Sequence, residues 1–192
     1  MKQRIVLATG NKNKLKEIRK MLPEFEVVSS AEMGFFEDVE ETGETFYENA
    51  YIKAKAVSTA LNLPALADDS GLCVYSLNGA PGVYSARYAG DGIDENNNKL
   101  LLKNMQKFTN EEDRKACFTC CMVYYKPNGE SVSVTAKTEG YIMFEPQGEN
   151  GFGYDPIFYS YDLNKGLAVA TLEEKNAISH RGRAIEMIKD KL

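Results

Sequence analysis

Apolar positions open the chain in a strand–helix–strand rhythm. Ile5-Val6-Leu7-Ala8 is a continuous apolar run bounded by polar residues, which reads as a buried strand beginning at Arg4. Thr9-Gly10-Asn11-Lys12-Asn13 supplies a turn, and Leu15, Ile18 and Leu22 then recur at helical spacing until Pro23 stops the helix. Residues 25–29 read as a second strand, so the chain starts as an α/β fold. Across residues 45–61, Phe46, Ala50, Ala54, Val57 and Leu61 make one apolar stripe, with Glu48, Asn49, Lys53 and Lys55 off it. Thr45 followed three residues later by Glu48 has the form of a capping box.

Further along, short strands are expected at 65–67 and 72–75, flanking an acidic pair, and a helix over 94–107. Long strands over 116–126 and 131–144 flank a turn at 127–130. A short strand at 157–159 and a closing helix from about 177 to 191, carrying Ile178, Ile185 and Ile188, complete the pattern. Neither a linker nor an internal repeat interrupts it. The expectation is one α/β domain over residues 1–192, a mixed sheet surrounded by helices in two lobes.

Composition narrows the function classes. The chain has 192 residues, 43% hydrophobic and 27% charged, which is ordinary for a globular protein able to bury a sizeable core. A formal net charge of −5 argues against a nucleic-acid polymer as partner, because such binders carry a basic face. Residues 4–8 are too short for the apolar region of a signal peptide, and no apolar run approaches the roughly 20 residues of a membrane span. A cytoplasmic location without membrane attachment is therefore expected. Cys117, Cys120 and Cys121 share one strand-like segment and Cys73 stands apart, a distribution that suits reduced thiols. No second cysteine pair accompanies Cys117-Phe118-Thr119-Cys120 at zinc spacing, so these read as core thiols.

Several clusters could carry chemistry. Thr9-Gly10-Asn11-Lys12-Asn13-Lys14 joins a strand to a helix N-terminus, where backbone N–H groups and the helix dipole favour an anion. The loop is not a Walker A sequence, and taken alone it reads more readily as an ordinary turn with solvated lysines than as an anion site. Glu40-Glu41-Thr42-Gly43-Glu44, followed by Glu48-Asn49, offers hard oxygen ligands of the kind Mg²⁺ takes, or else a solvated acidic loop. Asp68-Asp69 lies between an apolar run and Gly71; an adjacent carboxylate pair is either solvated or neutralised by cations. Strand alternation would send the two side chains to opposite faces. Gly151-Phe152-Gly153-Tyr154-Asp155-Pro156 places aromatic rings between glycines, suited to stacking on a flat ligand or to a turn with core aromatics. The chain's one histidine, His180, sits beside Arg181 and near Arg183, and arginine suits recognition of phosphates and base edges.

Taken together and in order, these motifs resemble the inosine/xanthosine triphosphate pyrophosphatase family. The resemblance rests on Ala8-Thr9-Gly10-Asn11 with Lys14, Glu41-Thr42-Gly43 with Thr45-Phe46 and Glu48-Asn49-Ala50, Ala67-Asp68-Asp69-Ser70-Gly71-Leu72, Gly79 to Tyr88, Gly151 to Pro156, and Lys175-Asn176 with Ile178-Ser179-His180-Arg181-Gly182. Only about 91–138 matches in general character alone. The resemblance implies an α/β fold with an elongated mixed sheet, two lobes and a central nucleotide-binding cleft. It also implies a homodimer, Mg²⁺ dependence, and hydrolysis of purine nucleoside triphosphates such as ITP, dITP and XTP to the monophosphate and pyrophosphate. It makes Asp69 the proton acceptor and a metal ligand, with Glu40 the second metal carboxylate. Thr9, Gly10, Asn11, Lys12, Asn13, Lys14, Lys53, Ser70, Phe152, Gly153, Tyr154, Asp155, Lys175, His180 and Arg181 would line the substrate site. In that reading Asp69 faces the reaction, Phe152 stacks on the base, and a donor from the His180-Arg181 segment, or from the backbone near it, meets a 6-oxo group.

Overall fold

The computed structural model describes residues 2–192. Its strands are β1 (Arg4–Leu7), β2 (Glu26–Ser29), β3 (Ala65–Val74), β4 (Lys115–Tyr125), β5 (Ser131–Ile142), β6 (Phe158–Ser160) and β7 (Lys165–Gly166). Its α-helices are α1 (Lys12–Met21), α2 (Phe46–Leu61), α3 (Asp94–Asn104), α4 (Leu172–Ile178) and α5 (His180–Ile188). The strands form one seven-stranded sheet in the order β2-β1-β3-β4-β5-β6-β7. It is mixed: β1 pairs in parallel with β2 and β3, while β5–β6 and β6–β7 are antiparallel. No helix among the described residues is long and apolar enough to cross a membrane. All four cysteines are free thiols.

The chain separates into two compact units, the first comprising Met1–Asp69, Cys120–Ala136 and Arg181–Leu192, and the second Ser70–Thr119 and Lys137–His180. In the first unit, strand alternation makes two cores. Ile5, Leu7, Leu66, Cys120 and Met122 pack with Ile18 and Leu22 from the α1 region and with Ala184, Ile185 and Ile188 of α5. Val6, Ala65, Ala67, Cys121 and Val123 pack with Ala50, Ala54 and Val57 of α2. Each fully buried leucine or isoleucine contributes about 1.5–3 kcal/mol, so both sheet faces are firmly sealed. The capping box of α2 is complete: the Glu48 N–H donates to Thr45 Oγ1 at 3.2 Å and the Thr45 N–H to the Glu48 carboxylate at 3.0 Å.

The second unit builds its core from Leu72, Val74, Ala116, Phe118, Ile142 and Phe158 with Leu101 and Met105 of the α3 region. The buried Arg114 guanidinium donates to the carbonyls of Met105, Phe108, Ile142 and Met143 at 2.6–3.1 Å, tying the end of α3 to the end of β5.

Two expectations need correction, and one short strand was not foreseen. The acidic pair does not separate two short strands; β3 is a single ten-residue strand that carries both aspartates through its middle. That is tolerable because cations meet both side chains. The closing helix is two helices, broken where Ser179 is extended (ψ 152°), and α4 starts earlier, at a capping box of Thr171 with Glu174. The short edge strand β7 has no apolar alternation to announce it. The remaining elements lie within a few residues of their expected bounds, where fraying and capping decide the ends.

Gly140 shows how tightly β5 and β6 approach: a Cβ there would lie 1.9 Å from the Tyr159 carbonyl oxygen and 2.7 Å from the Phe158 ring. Backbone cannot yield as a flexible side chain does. Gly140→Ala should therefore destabilise the protein by about 1–3 kcal/mol, read as a lower urea midpoint at unchanged slope.

Candidate active site

The hub of the first unit is the Asp68-Asp69 dipeptide. Consecutive residues of β3 face opposite ways, and their partners show it. Asp68 points to the α1 and α5 side, where Lys14 Nζ approaches Oδ2 at 3.0 Å and the Arg181 guanidinium lies at 3.4 Å. Asp69 points to the α2 side, where Asn49 Nδ2 donates to Oδ2 at 3.3 Å and Lys53 Nζ lies 3.5 Å from Oδ1. Lys53 also donates to the Asp68 carbonyl at 2.9 Å, so both lysines converge on one residue, one through its carboxylate and one through its backbone.

The two aspartates are electrostatically unlike. Burial alone would raise the Asp68 carboxyl, but Lys14, Arg181 and Lys53 outweigh it and hold the group well below the usual carboxylate range. Asp69 moves the other way: burial raises it, Lys53 opposes, and the nearby Glu41 charge raises it further. Burial would lower the Lys53 ammonium, yet Asp69, Asp68 and Glu41 together keep it above its ordinary value and charged. Arg181 is 2% exposed; Asp68 and Glu17 outweigh the burial that would discharge it, and its Nη1 donates to Glu17 at 2.5 Å.

The expected anion loop forms the start of α1. Asn11 caps the helix by accepting from the N–H groups of Asn13 and Lys14, and Thr9 Oγ1 accepts from the Asn11 N–H at 3.1 Å. Gly10, Asn11, Lys12 and Asn13 are exposed, and no acidic residue occupies the first turn. An anion would meet the positive end of the helix without local repulsion.

Glu40 is exposed, and the neighbouring Glu41 is the one whose Oε1 meets Lys53 at 2.6 Å. Asp69 and Glu41 thus share one lysine. No cluster of three or more His, Cys, Asp or Glu side chains suited to a metal occurs among the described residues. Two hard carboxylates without a full cage nevertheless fit Mg²⁺, which is commonly held by one or two carboxylates, waters and the substrate's own phosphates.

In the second unit, Phe152, Gly153, Tyr154, Asp155 and Lys175 come together. The Lys175 ammonium pairs with Asp155 at 2.7 Å and stands 4.5 Å from the Phe152 ring centroid. Asp155 also accepts from the Phe152 N–H at 2.9 Å, and the Tyr154 hydroxyl donates to the Ser85 carbonyl at 2.8 Å. His180 is buried and stacks on Phe118, with 5.0 Å between ring centroids and 11° between planes. Ser70 is half-buried at the start of this unit.

The expected donor to a base lies in the His180-Arg181 segment or the backbone near it; the Arg181 guanidinium is itself engaged inside the first unit by Glu17 and Asp68. Glu17 escapes sequence reasoning, because a glutamate one turn from Lys14 on a charged helix looks like surface. Asn49 was visible in the Glu48-Asn49 motif, although its bond to Asp69 was not.

The chain matches the model of the Ham1 family over residues 5–191. It is 46% identical over 185 residues to the dITP/XTP pyrophosphatase of Bacillus subtilis, covering 95% of this chain and 93% of that protein. Against the dITP/XTP pyrophosphatase of Haemophilus influenzae it is 48% identical over an aligned length of 197, covering 100% of both. Among solved structures, a HAM1 protein from Coxiella burnetii superposes with a TM-score of 0.89 at 42% identity, covering 98% of each chain. The Staphylococcus aureus Ham1 protein superposes with a TM-score of 0.88 at 43% identity, covering 98% of this chain and 97% of that one. With its α/β fold and nearly its full length matched, this chain belongs to the Ham1 family.

Proposed function

We propose that this protein is a nucleoside-triphosphate pyrophosphatase that hydrolyses aberrant purine nucleotides, namely dITP, ITP and XTP, to the monophosphate and pyrophosphate. The observation that carries the reading is Asp69, a buried carboxylate of raised pKa held between Asn49 and Lys53, beside the Lys14–Asp68 pair. The names of the relatives support the substrate class. The motif resemblance supports a single catalytic domain acting as a cytoplasmic homodimer.

Water attacks the α-phosphorus, a new P–O bond forms, and the bond to pyrophosphate breaks. Asp69 accepts the proton of the attacking water at a carboxylate oxygen, oriented by Asn49 and Lys53. Lys14 and Lys53 set fixed positive charge beside the triphosphate, and the N–H groups and polar side chains of residues 9–14 bind its oxygens. Asp69 and one carboxylate of the Glu40-Glu41 pair would hold Mg²⁺, and the contact of Glu41 with Lys53 favours Glu41. Bound there, the ion would supply Lewis-acid stabilisation of the phosphate charge. Asp68 positions Lys14, and Arg181 with Glu17 positions Asp68.

Phe152 presents a ring for the base, braced by Lys175 on Asp155. Since the Arg181 side chain serves Asp68, donors to the 6-oxo group come from the backbone of the 180–181 segment, with His180 shaping its surroundings. A donor there rejects the 6-amino group of adenine, a discrimination worth about 10⁴ when the loser leaves a buried polar group unpaired.

The deciding assay is pyrophosphate release from dITP, ITP and XTP against dATP and dGTP, with and without Mg²⁺. Release from the first three only, and only with the ion, is expected; equal rates on dATP would refute the reading. Asp69→Asn should lower kcat by at least about 10²-fold while dITP binding, measured by calorimetry, persists.

Glu41→Gln and Glu40→Gln separate the two candidate metal carboxylates. The first should raise the Mg²⁺ concentration for half-maximal activity more than the second, and the reverse order would transfer the role to Glu40.

The depressed Asp68 carboxyl also makes stability depend on pH. A carboxyl whose folded pKa lies below its unfolded value of about 3.9 stabilises fully above that value and loses its contribution as pH falls towards the folded pKa. Asp68→Asn should flatten the acid limb of a stability-against-pH profile below pH ~5. At neutral pH it should cost about 3–5 kcal/mol, because Arg181 and Lys14 lose a buried partner.

A further inference from the structure

The segment with the least readable sequence, about 91–138, contributes side chains to the Phe152 loop. Asp94 and Asn98 lie four residues apart on α3, hence on one face of the helix. Asp94 Oδ2 accepts from the Gly153 N–H at 2.7 Å, and Asn98 Nδ2 donates to the Gly153 carbonyl at 3.0 Å. One residue of the loop is thus gripped by both its backbone groups from a single helix face.

Gly153 is the point at which such a grip matters. Its φ is +63°, in the left-handed region, and a Cβ there would meet nothing, so glycine serves backbone conformation and not space. Such a residue is a hinge unless its peptide groups are held. On either side the loop is anchored elsewhere, Phe152 through Asp155 and Tyr154 through Ser85. Asn98 also bears a cost that packing alone does not explain. It is 9% exposed, and its Oδ1 has no hydrogen-bond partner among the described residues, so half of a buried amide is spent to place the other half on Gly153.

We propose that Asp94 and Asn98 are positioning residues that lock Gly153 and thereby fix the Phe152 ring for the nucleotide base. The effect on substrate rests on the pyrophosphatase reading above; the lock itself does not. It predicts a particular chemistry at each position. Asp94 must accept, so asparagine can replace it while alanine cannot. Asn98 must donate, so aspartate should fail at least as badly as alanine, because its carboxylate would face the Gly153 carbonyl.

The test has two arms on the full-length protein. In the first, without substrate, amide hydrogen exchange is followed at residues 150–155 by mass spectrometry or NMR. Asp94→Ala should speed exchange at the Gly153 N–H by at least about tenfold, Asn98→Ala and Asn98→Asp should speed exchange across the loop, and Asp94→Asn should remain near the parent. In the second arm, steady-state pyrophosphate release from dITP is measured for the same variants. KM should rise about tenfold in Asp94→Ala, Asn98→Ala and Asn98→Asp with kcat within about twofold, and Asp94→Asn should restore KM.

Unchanged loop exchange in Asp94→Ala and Asn98→Ala overturns the lock, whatever the kinetics. Faster exchange with unchanged KM overturns its role in binding. A parent that releases no pyrophosphate from dITP refutes the function and with it the effect on KM, and the exchange arm still decides the lock.

Discussion

Two adjacent carboxylates in the middle of a buried strand are the constraint on which the first unit depends. Leaving either charge uncompensated would cost several kcal/mol, a large part of the stability of an ordinary domain. The strand sends them to opposite faces, so each face must bring its own cations. Lys14 and Arg181 do this for Asp68, and Lys53 with Asn49 does it for Asp69. Helices α1, α2 and α5 thus carry both the apolar residues that seal the sheet and the charged residues that make its centre tolerable.

The same balance separates two jobs. Asp68 is surrounded by cations and stays ionised, an electrostatic strut for Lys14. Asp69 has a more distant cationic partner and a neighbouring glutamate, and its carboxyl is raised by burial. Two identical side chains one residue apart acquire different chemistry from their environments alone.

The second unit solves another problem with other means. A loop that presents an aromatic ring must be accessible yet ordered. Here one ion pair and a set of hydrogen bonds do the holding: Lys175 on Asp155, the Tyr154 hydroxyl on Ser85, and two side chains of α3 on Gly153. His180 stacks on Phe118 and so takes part in the packing of this unit.

Much of this was legible in the residues themselves. The apolar spacing around Ile18, the stripe from Phe46 to Leu61, the Thr45–Glu48 cap and the alternation of Asp68 with Asp69 are local properties, governed by helix and strand geometry, and they emerged much as expected. The continuity of β3 through two aspartates was not legible, because a strand tolerates them only when Lys14, Arg181 and Lys53 arrive from distant parts of the chain. Nor was the burial of Arg181, which depends on Glu17 of α1, or the choice of Glu41 over Glu40 beside Lys53. The sequence by itself determined the periodicities, the caps and the set of chemical groups, since these depend on neighbours along the chain. Which charge meets which, and hence which carboxylate is held ionised and which is raised, was decided only by the tertiary structure, because Coulombic and desolvation energies depend on distance in space and not on separation in sequence.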